Sequence, residues 1–240
     1  MNDLRLTQIS AVLFDLYGTL VDIKVDELSL NFWTSIRNTL DVAIAPEDLR
    51  DQYEKKCTVA IAASQSGQVI EEVFADWSAE LSQTYRKPID TLTFIRKFRQ
   101  ASRTSLQLRT YAKPLIHILQ ASGTKTAIVS NTEAAFTKVD LLDINMPPVD
   151  AMVLSSDVGC RKPHLKIFSA ALNQLNLSPD KCVFIGDNWE EDIMGARHAG
   201  THAIFLSDTP KVMSDVITIS AKPSLKSMMA ALTTLDNNLS

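Results

Sequence analysis

Four short stretches hold side chains able to do chemistry on an anionic substrate. AVLFDLYGTLVD, residues 11–22, carries Asp15 with Tyr17 and Thr19. TKTAIVSNT carries Ser130 and Asn131, RKP carries Lys162, and GDNWEED carries Asp187 and Asp192. Several carboxylates near an ammonium and a hydroxyl suit an anion held through a hard divalent cation. Asp15 ends a four-residue apolar run and precedes Gly18, which lets the backbone turn tightly. A carboxylate held there is a candidate nucleophile. Each stretch alone has a plainer explanation: an Asp-Gly turn, a helix N-cap at Ser130, a solvated lysine, an acidic helix start at GDNWEED. Their order along the chain, each at or just past the end of an apolar run, points beyond those explanations.

The elements that must position these residues follow from the hydrophobic pattern. Ala11–Phe14 is a short apolar run without alternation, the mark of a strand buried on both faces. TKTAIVSNT, AMVLSS, KCVFIGDN and THAIFLSD read the same way, and VITIS reads as a short edge strand. Helical stretches separate them: KPLIHILQASG, stopped by Gly123, then residues 133–143, PHLKIFSAALNQLNL, EDIMGARHAG and SLKSMMAALTTL. Strand and helix in alternation predict an α/β fold, a parallel sheet with helices on both faces. Right-handed crossovers bring the strand ends to one edge, where such sheets place their ligands. Residues 23–110 read differently, as an almost wholly helical insert without a strand. Leu30, Trp33, Ile36 and Leu40 fall at helical intervals, Pro46 opens a second helix that Gly67 breaks, and Pro88 separates the last two.

Composition narrows the class of function. The chain has 240 residues, enough for a domain with an insert, and its 45% hydrophobic content supports a real core. A net charge of -4 with no basic stripe argues against nucleic acid or a membrane surface as partner. No apolar run approaches a bilayer span, and the first ten residues lack the apolar core of a secretion signal. Cys57, Cys160 and Cys182 are odd in number and lack CxxC spacing, which fits reduced thiols in a cytoplasmic protein. His117, His198 and His202 are expected in structural positions, and Arg37 and Arg50 on the surface. His164 is a weak candidate for the cleft. Phe32, Trp33, Phe74 and Trp77 are expected as packing residues of the insert.

FDLYGTL, VSNT, RKP and GDNWEED, in that order, resemble the four motifs of the haloacid dehalogenase (HAD) superfamily, and the resemblance covers the whole chain. It implies a Rossmann-like core, residues 1–22 and 111–240, with an inserted helical cap of type 1 at 23–110. It implies that Asp15 is the nucleophile and forms a covalent aspartyl intermediate. Ser130 would hydrogen-bond the transferring group, and Lys162 would offset the charge of Asp15 and substrate. Mg²⁺ would be held by Asp15, Asp187 and the backbone carbonyl of Tyr17, with Asp192 supporting it directly or through water. Thr19 and Asn131 belong to the same motifs. The substrate would be a small molecule.

One residue departs from the pattern. Phosphatases of this superfamily carry Asp two positions after the nucleophile, as an acid and then a base; here that position is Tyr17. A phenol, with a reference pKa of about 10, could donate a proton but is a poor base at neutral pH. The superfamily's dehalogenases carry Tyr there, since halide leaves without a proton, but they have Ser where this chain has the metal-binding Asp187. The fourth motif weighs more. Asp15 and Asp187 side by side repel unless a cation sits between them. The expected function is therefore Mg²⁺-dependent hydrolysis of a small organic phosphate. Metal-independent 2-haloacid dehalogenation is the alternative, and a HAD-fold binding or regulatory protein the third reading.

Overall fold

All the strand pairs of the main sheet run parallel. The computed structural model describes residues 5–63, 69–209, 211 and 213–240; Gly67, the expected helix break, lies outside them. The strands are β1 (Ala11–Phe14), β2 (Val21–Val25), β3 (Arg103–Leu108), β4 (Lys125–Ser130), β5 (Ala151–Leu154), β6 (Cys182–Gly186), β7 (His202–Leu206) and β8 (Val216–Ile219). The helices are α1 (Leu30–Leu40), α2 (Pro46–Ala63), α3 (Val69–Tyr85), α4 (Thr91–Ser102), α5 (Ala112–Ala121), α6 (Ala134–Asp143), α7 (Ser155–Val158), α8 (Leu165–Leu175), α9 (Gly195–His198) and α10 (Leu225–Asn238). A π-helix spans Trp189–Met194.

The chain divides into two compact units. Residues 1–22, 107–131 and 146–240 form the sheet unit. Its six strands lie in the order β5-β4-β1-β6-β7-β8, an α/β arrangement with β1 in the interior. β1 is buried throughout because it has a strand on each side and helices over its faces. Phe14 is level with Ile128 of β4 and with Ile185 of β6. The carboxyl ends of these three strands therefore share an edge. Ala11, Leu13, Val129, Phe168 and Phe184 are among the residues of one core cluster of this unit.

Residues 23–106 and 132–145 form the second, mostly helical unit. Its core is aromatic: Trp33, Tyr53, Phe74, Trp77, Phe94 and Phe98 pack with ring centroids between 4.9 Å (Tyr53–Phe98) and 6.5 Å (Trp33–Trp77). The four aromatic residues expected to pack the insert do so. α6 belongs to this unit although it follows β4 in the chain. Phe136 stacks on Phe98 at 6.0 Å, and Asp140 takes charge-assisted bonds from Arg99 and Arg103. The insert is not free of strands as expected. β2 and β3 pair as a two-stranded sheet. VDIKV alternates apolar and polar residues, the period of a half-buried strand, over too few residues to stand out. Among the described residues no helix is long and apolar enough to cross a membrane.

Candidate functional site

Asp15 is the first residue past β1, and its N–H still donates to the Ile185 carbonyl at 2.9 Å. The sheet thus aims a carboxylate that is only 7% exposed. Lys162 Nζ lies 2.6 Å from Asp15 Oδ1 and 2.6 Å from Asp192 Oδ1, bridging the two acids. Ser130 Oγ, at the tip of β4, is 3.4 Å from Asp15 Oδ1, a long hydrogen bond. Asn131 acts on the backbone: its Oδ1 accepts from Lys162 N–H at 2.6 Å, and its Nδ2 donates to the Lys162 carbonyl at 3.1 Å. Asp15, Ser130, Lys162 and Asp192, from all four stretches, therefore meet here, with Asn131 holding the Lys162 backbone.

The fourth stretch is shaped by the π-helix. Ile193 N–H reaches back five residues to the Asn188 carbonyl, and the Asn188 side chain accepts from the Glu190 and Glu191 N–H groups. Such wide turns occur often at functional sites. Here the turn brings Asp192 back over the end of β6, where Oδ2 accepts from Asn188 N–H at 2.9 Å. The close approach requires Gly186: a Cβ there would lie 2.4 Å from Asp192 Oδ2. Gly18 does the same for Asp187, since its Cβ would lie 2.2 Å from Asp187 Oδ2 and its φ is +86°. Carboxylate oxygens of Asp15, Asp187 and Asp192 all lie within 4.8 Å of one another.

Titration reflects this crowding. Burial pushes the Asp192 carboxyl up to about 6, with the Asp15 charge adding and Lys162 opposing. Asp187 is raised too, first by its surroundings' exclusion of water and then by the Asp15 charge, against the pull of Arg109 and Lys162. Burial works against the Lys162 ammonium, but the charges of Asp15 and Asp192 outweigh it, and its pKa rises.

Thr19 is fully buried, and its hydroxyl has no hydrogen-bond partner; its carbonyl accepts from Tyr111 Oη at 2.5 Å. Its connection to the site is thus through the backbone. Tyr17 is half-buried beside Gly18, and its backbone bridges to Val21. His164 is exposed and caps α8 through Nδ1 to Lys166 N–H at 3.2 Å, which accounts for it without the cleft. His117 is exposed.

Sequence reasoning missed Tyr111 and Arg109. Tyr111 is almost fully buried and ties the loop that follows Asp15 to the start of α5. Arg109 pairs with Asp22 at 2.9 Å and donates to the Ala221 carbonyl at 2.7 Å. Partners 87 and 112 residues away leave no local signature.

A family model for haloacid dehalogenase-like hydrolases matches residues 9–200. The phosphoglycolate phosphatase of Colwellia psychrerythraea is 27% identical over 206 residues, 85% of this chain and 87% of that protein. The glyceraldehyde 3-phosphate phosphatase of Methanothermobacter thermautotrophicus is 34% identical over 91 residues, 37% of this chain and 40% of that protein. Among solved structures, the 2-haloacid dehalogenase of Pseudomonas syringae pv. Tomato DC3000 aligns with a TM-score of 0.60 at 18% identity, covering 93% of this chain and 98% of its own. The HAD-hydrolase YfnB of Bacillus subtilis aligns at 0.55 and 21% identity, covering 95% and 100%. These two likenesses are of fold. The family match, by contrast, runs through both units and takes in all four chemistry-bearing stretches, so the chain belongs to the haloacid dehalogenase-like hydrolases.

Proposed function

We propose that the protein is a Mg²⁺-dependent phosphatase of small organic phosphates, with Asp15 as nucleophile. The observation that carries the reading is charge: three carboxylates lie within 4.8 Å of one another, and the ammonium bridging two of them is Lys162. Two such charges repel by about 3 kcal/mol at an effective dielectric of about 20. A phosphate dianion would add to that repulsion. The donor set, carboxylate oxygens with room made by two glycines, fits a hard cation that takes a few acids and keeps its waters. Asp15, Asp187 and the Tyr17 carbonyl would hold it, with Asp192 in support. A bound Mg²⁺ would supply positive charge beside the phosphoryl oxygens.

The chain's own residues then have distinct tasks. An Asp15 oxygen attacks phosphorus, the bond to the leaving oxygen breaks, that oxygen takes up a proton to leave as the alcohol, and an aspartyl phosphate forms. Ser130 donates to a phosphoryl oxygen. Lys162, fixed by Asn131, offsets the charge of Asp15 and of the entering phosphate. Water next attacks the same phosphorus and loses a proton to solvent, its oxygen goes to phosphate, and the electron pair of the broken bond returns to Asp15. The phosphatase names of the sequence relatives support the substrate class. Free Cys57, Cys160 and Cys182 support a reducing, cytoplasmic setting.

The test is phosphate release from p-nitrophenyl phosphate. It is expected with Mg²⁺, lost in EDTA, and lost in Asp15→Asn. Halide release from 2-chloropropionate in EDTA would instead establish the dehalogenase that Tyr17 suggests. Neither activity, with the fold intact, would leave a binding protein.

A further inference from the structure

We infer that Tyr111 and Arg109 are positioning residues of the cation site: they clamp the loop after Asp15 from outside and so fix where the Tyr17 carbonyl stands. The inference rests on the phosphatase reading above, which gives that carbonyl to Mg²⁺. The ligands of that reading differ in how the sheet holds them. Asp15 follows β1, and its N–H donates to the Ile185 carbonyl of β6 at 2.9 Å; Asp187 follows β6. Tyr17 lies in the loop between β1 and β2.

The loop's own bonds set its shape. Leu20 N–H and Val21 N–H both donate to the Leu16 carbonyl, at 2.8 and 2.9 Å, and Gly18 N–H donates to the Val21 carbonyl at 2.8 Å. The side chains of Leu16 and Leu20 are fully buried. Apolar burial is non-directional, so it holds the loop down without aiming it. Directional ties come from residues 109–111. Tyr111 Oη donates to the Thr19 carbonyl at 2.5 Å, Arg109 N–H to the Leu20 carbonyl at 2.9 Å, and the Arg109 guanidinium pairs with Asp22 at 2.9 Å. The clamp is itself anchored. Arg109 donates to the Ala221 carbonyl at 2.7 Å, and Tyr111 leads into α5, whose Leu115, Ile116 and Leu119 are fully buried.

On the loop's inner side the fit is close. Gly18 stands so near Asp187 that a Cβ there would lie 2.2 Å from Oδ2. Displacing the loop would shift the Tyr17 carbonyl and the Gly18 backbone against that carboxylate. Mg²⁺ demands near-ideal octahedral geometry at about 2.0–2.1 Å, so a displaced carbonyl costs affinity. Asp15 is held by its bond to β6 and stays in place. Loosening the clamp therefore weakens the cation more than it weakens the nucleophile.

The test is calorimetric titration with Mg²⁺ at pH 7 of the wild type and of Tyr111→Phe, which keeps the ring and removes the donor. The variant is expected to bind Mg²⁺ about tenfold more weakly, the low end of what a partner outside the ligand set costs. With p-nitrophenyl phosphate, its half-saturating Mg²⁺ should rise by a similar factor, and kcat at saturating Mg²⁺ should fall by less than the affinity does. A purely structural role would lower the denaturation midpoint of the metal-free protein and leave Mg²⁺ affinity unchanged; that result would overturn the inference and leave the phosphatase reading in place. No Mg²⁺ binding in the wild type would overturn both. Should Tyr111→Phe fail to fold, Asp22→Asn decides instead: Asp22 is exposed, and its loss frees the Arg109 guanidinium. Weaker Mg²⁺ binding is then expected, and unchanged binding would overturn the inference.

Discussion

Lys162 sets the electrostatics around Asp15. It is nearly buried, yet it keeps its charge because two carboxylates face it. Asp192 stands on the other side of this balance, its carboxyl pushed up to about 6 by burial first, then by Asp15. A carboxylate binds a cation only when ionised. A raised carboxyl pKa means the proton competes up to that value, so cation affinity should weaken as pH falls through about 6. The Mg²⁺ concentration for half-maximal turnover is expected to rise several-fold between pH 7 and pH 5; a flat response would remove Asp192 from the cation's surroundings. Residue types at strand ends were enough to nominate Asp15, Ser130, Asn131, Lys162, Asp187 and Asp192. They could not separate side-chain from backbone roles, because Asn131 and Thr19 act through partners far away in the chain.

At the scale of elements, α6 is the instructive case. Its sequence, AAFTKVDLLD, is an ordinary short helix between two strands, and the alternation of strand and helix led to its expected place on the sheet. Asp140 explains why it lies in the helical unit. This fully buried carboxylate takes Arg99 at 2.7 and 3.0 Å and Arg103 at 2.9 Å, while Arg103 also reaches Asp143. Removing one partner of a buried ion pair leaves the others unpaired, typically at a cost of about 3–5 kcal/mol. Asp140→Ala should lose stability of that order in chemical denaturation at neutral pH, and a loss below about 1 kcal/mol would show that the network only decorates an aromatic core. β2 and β3 escaped the sequence reading for a related reason. Each is short, and β2 has a single buried residue, so neither shows the continuous apolar run that marked β1, β4 and β6.

At the scale of the whole chain, the sheet unit must be assembled from three separated segments. Asp236 of α10 helps close it. Its carboxylate accepts from the N–H groups of Thr7, Gln8 and Ile9 at 2.7, 2.8 and 2.9 Å, joining the two ends of the described chain. Burial works against its charge, but those N–H groups outweigh it and hold the carboxyl below the usual range. A depressed pKa contributes stability that is present above about pH 4, where the unfolded carboxyl ionises, and is lost as pH falls through the folded value. Asp236→Ala should therefore cost about 1–3 kcal/mol at pH 7, the penalty of unpaired buried donors, and less in acid. A cost independent of pH would contradict this. The parallel sheet was legible because buried strands and amphipathic helices differ in period. The two-segment make-up of the helical unit was not, because it depends on pairings between residues about forty apart.

The central claim is that a divalent cation sits among Asp15, Asp187 and Asp192. Calorimetric titration of the protein with Mg²⁺ at pH 7, beside Asp187→Asn, tests it most directly. One saturable site is expected in the wild type, with affinity at least about tenfold weaker in the variant, the cost of losing a ligand or its support. No binding in the wild type, or equal binding in both, would contradict the account.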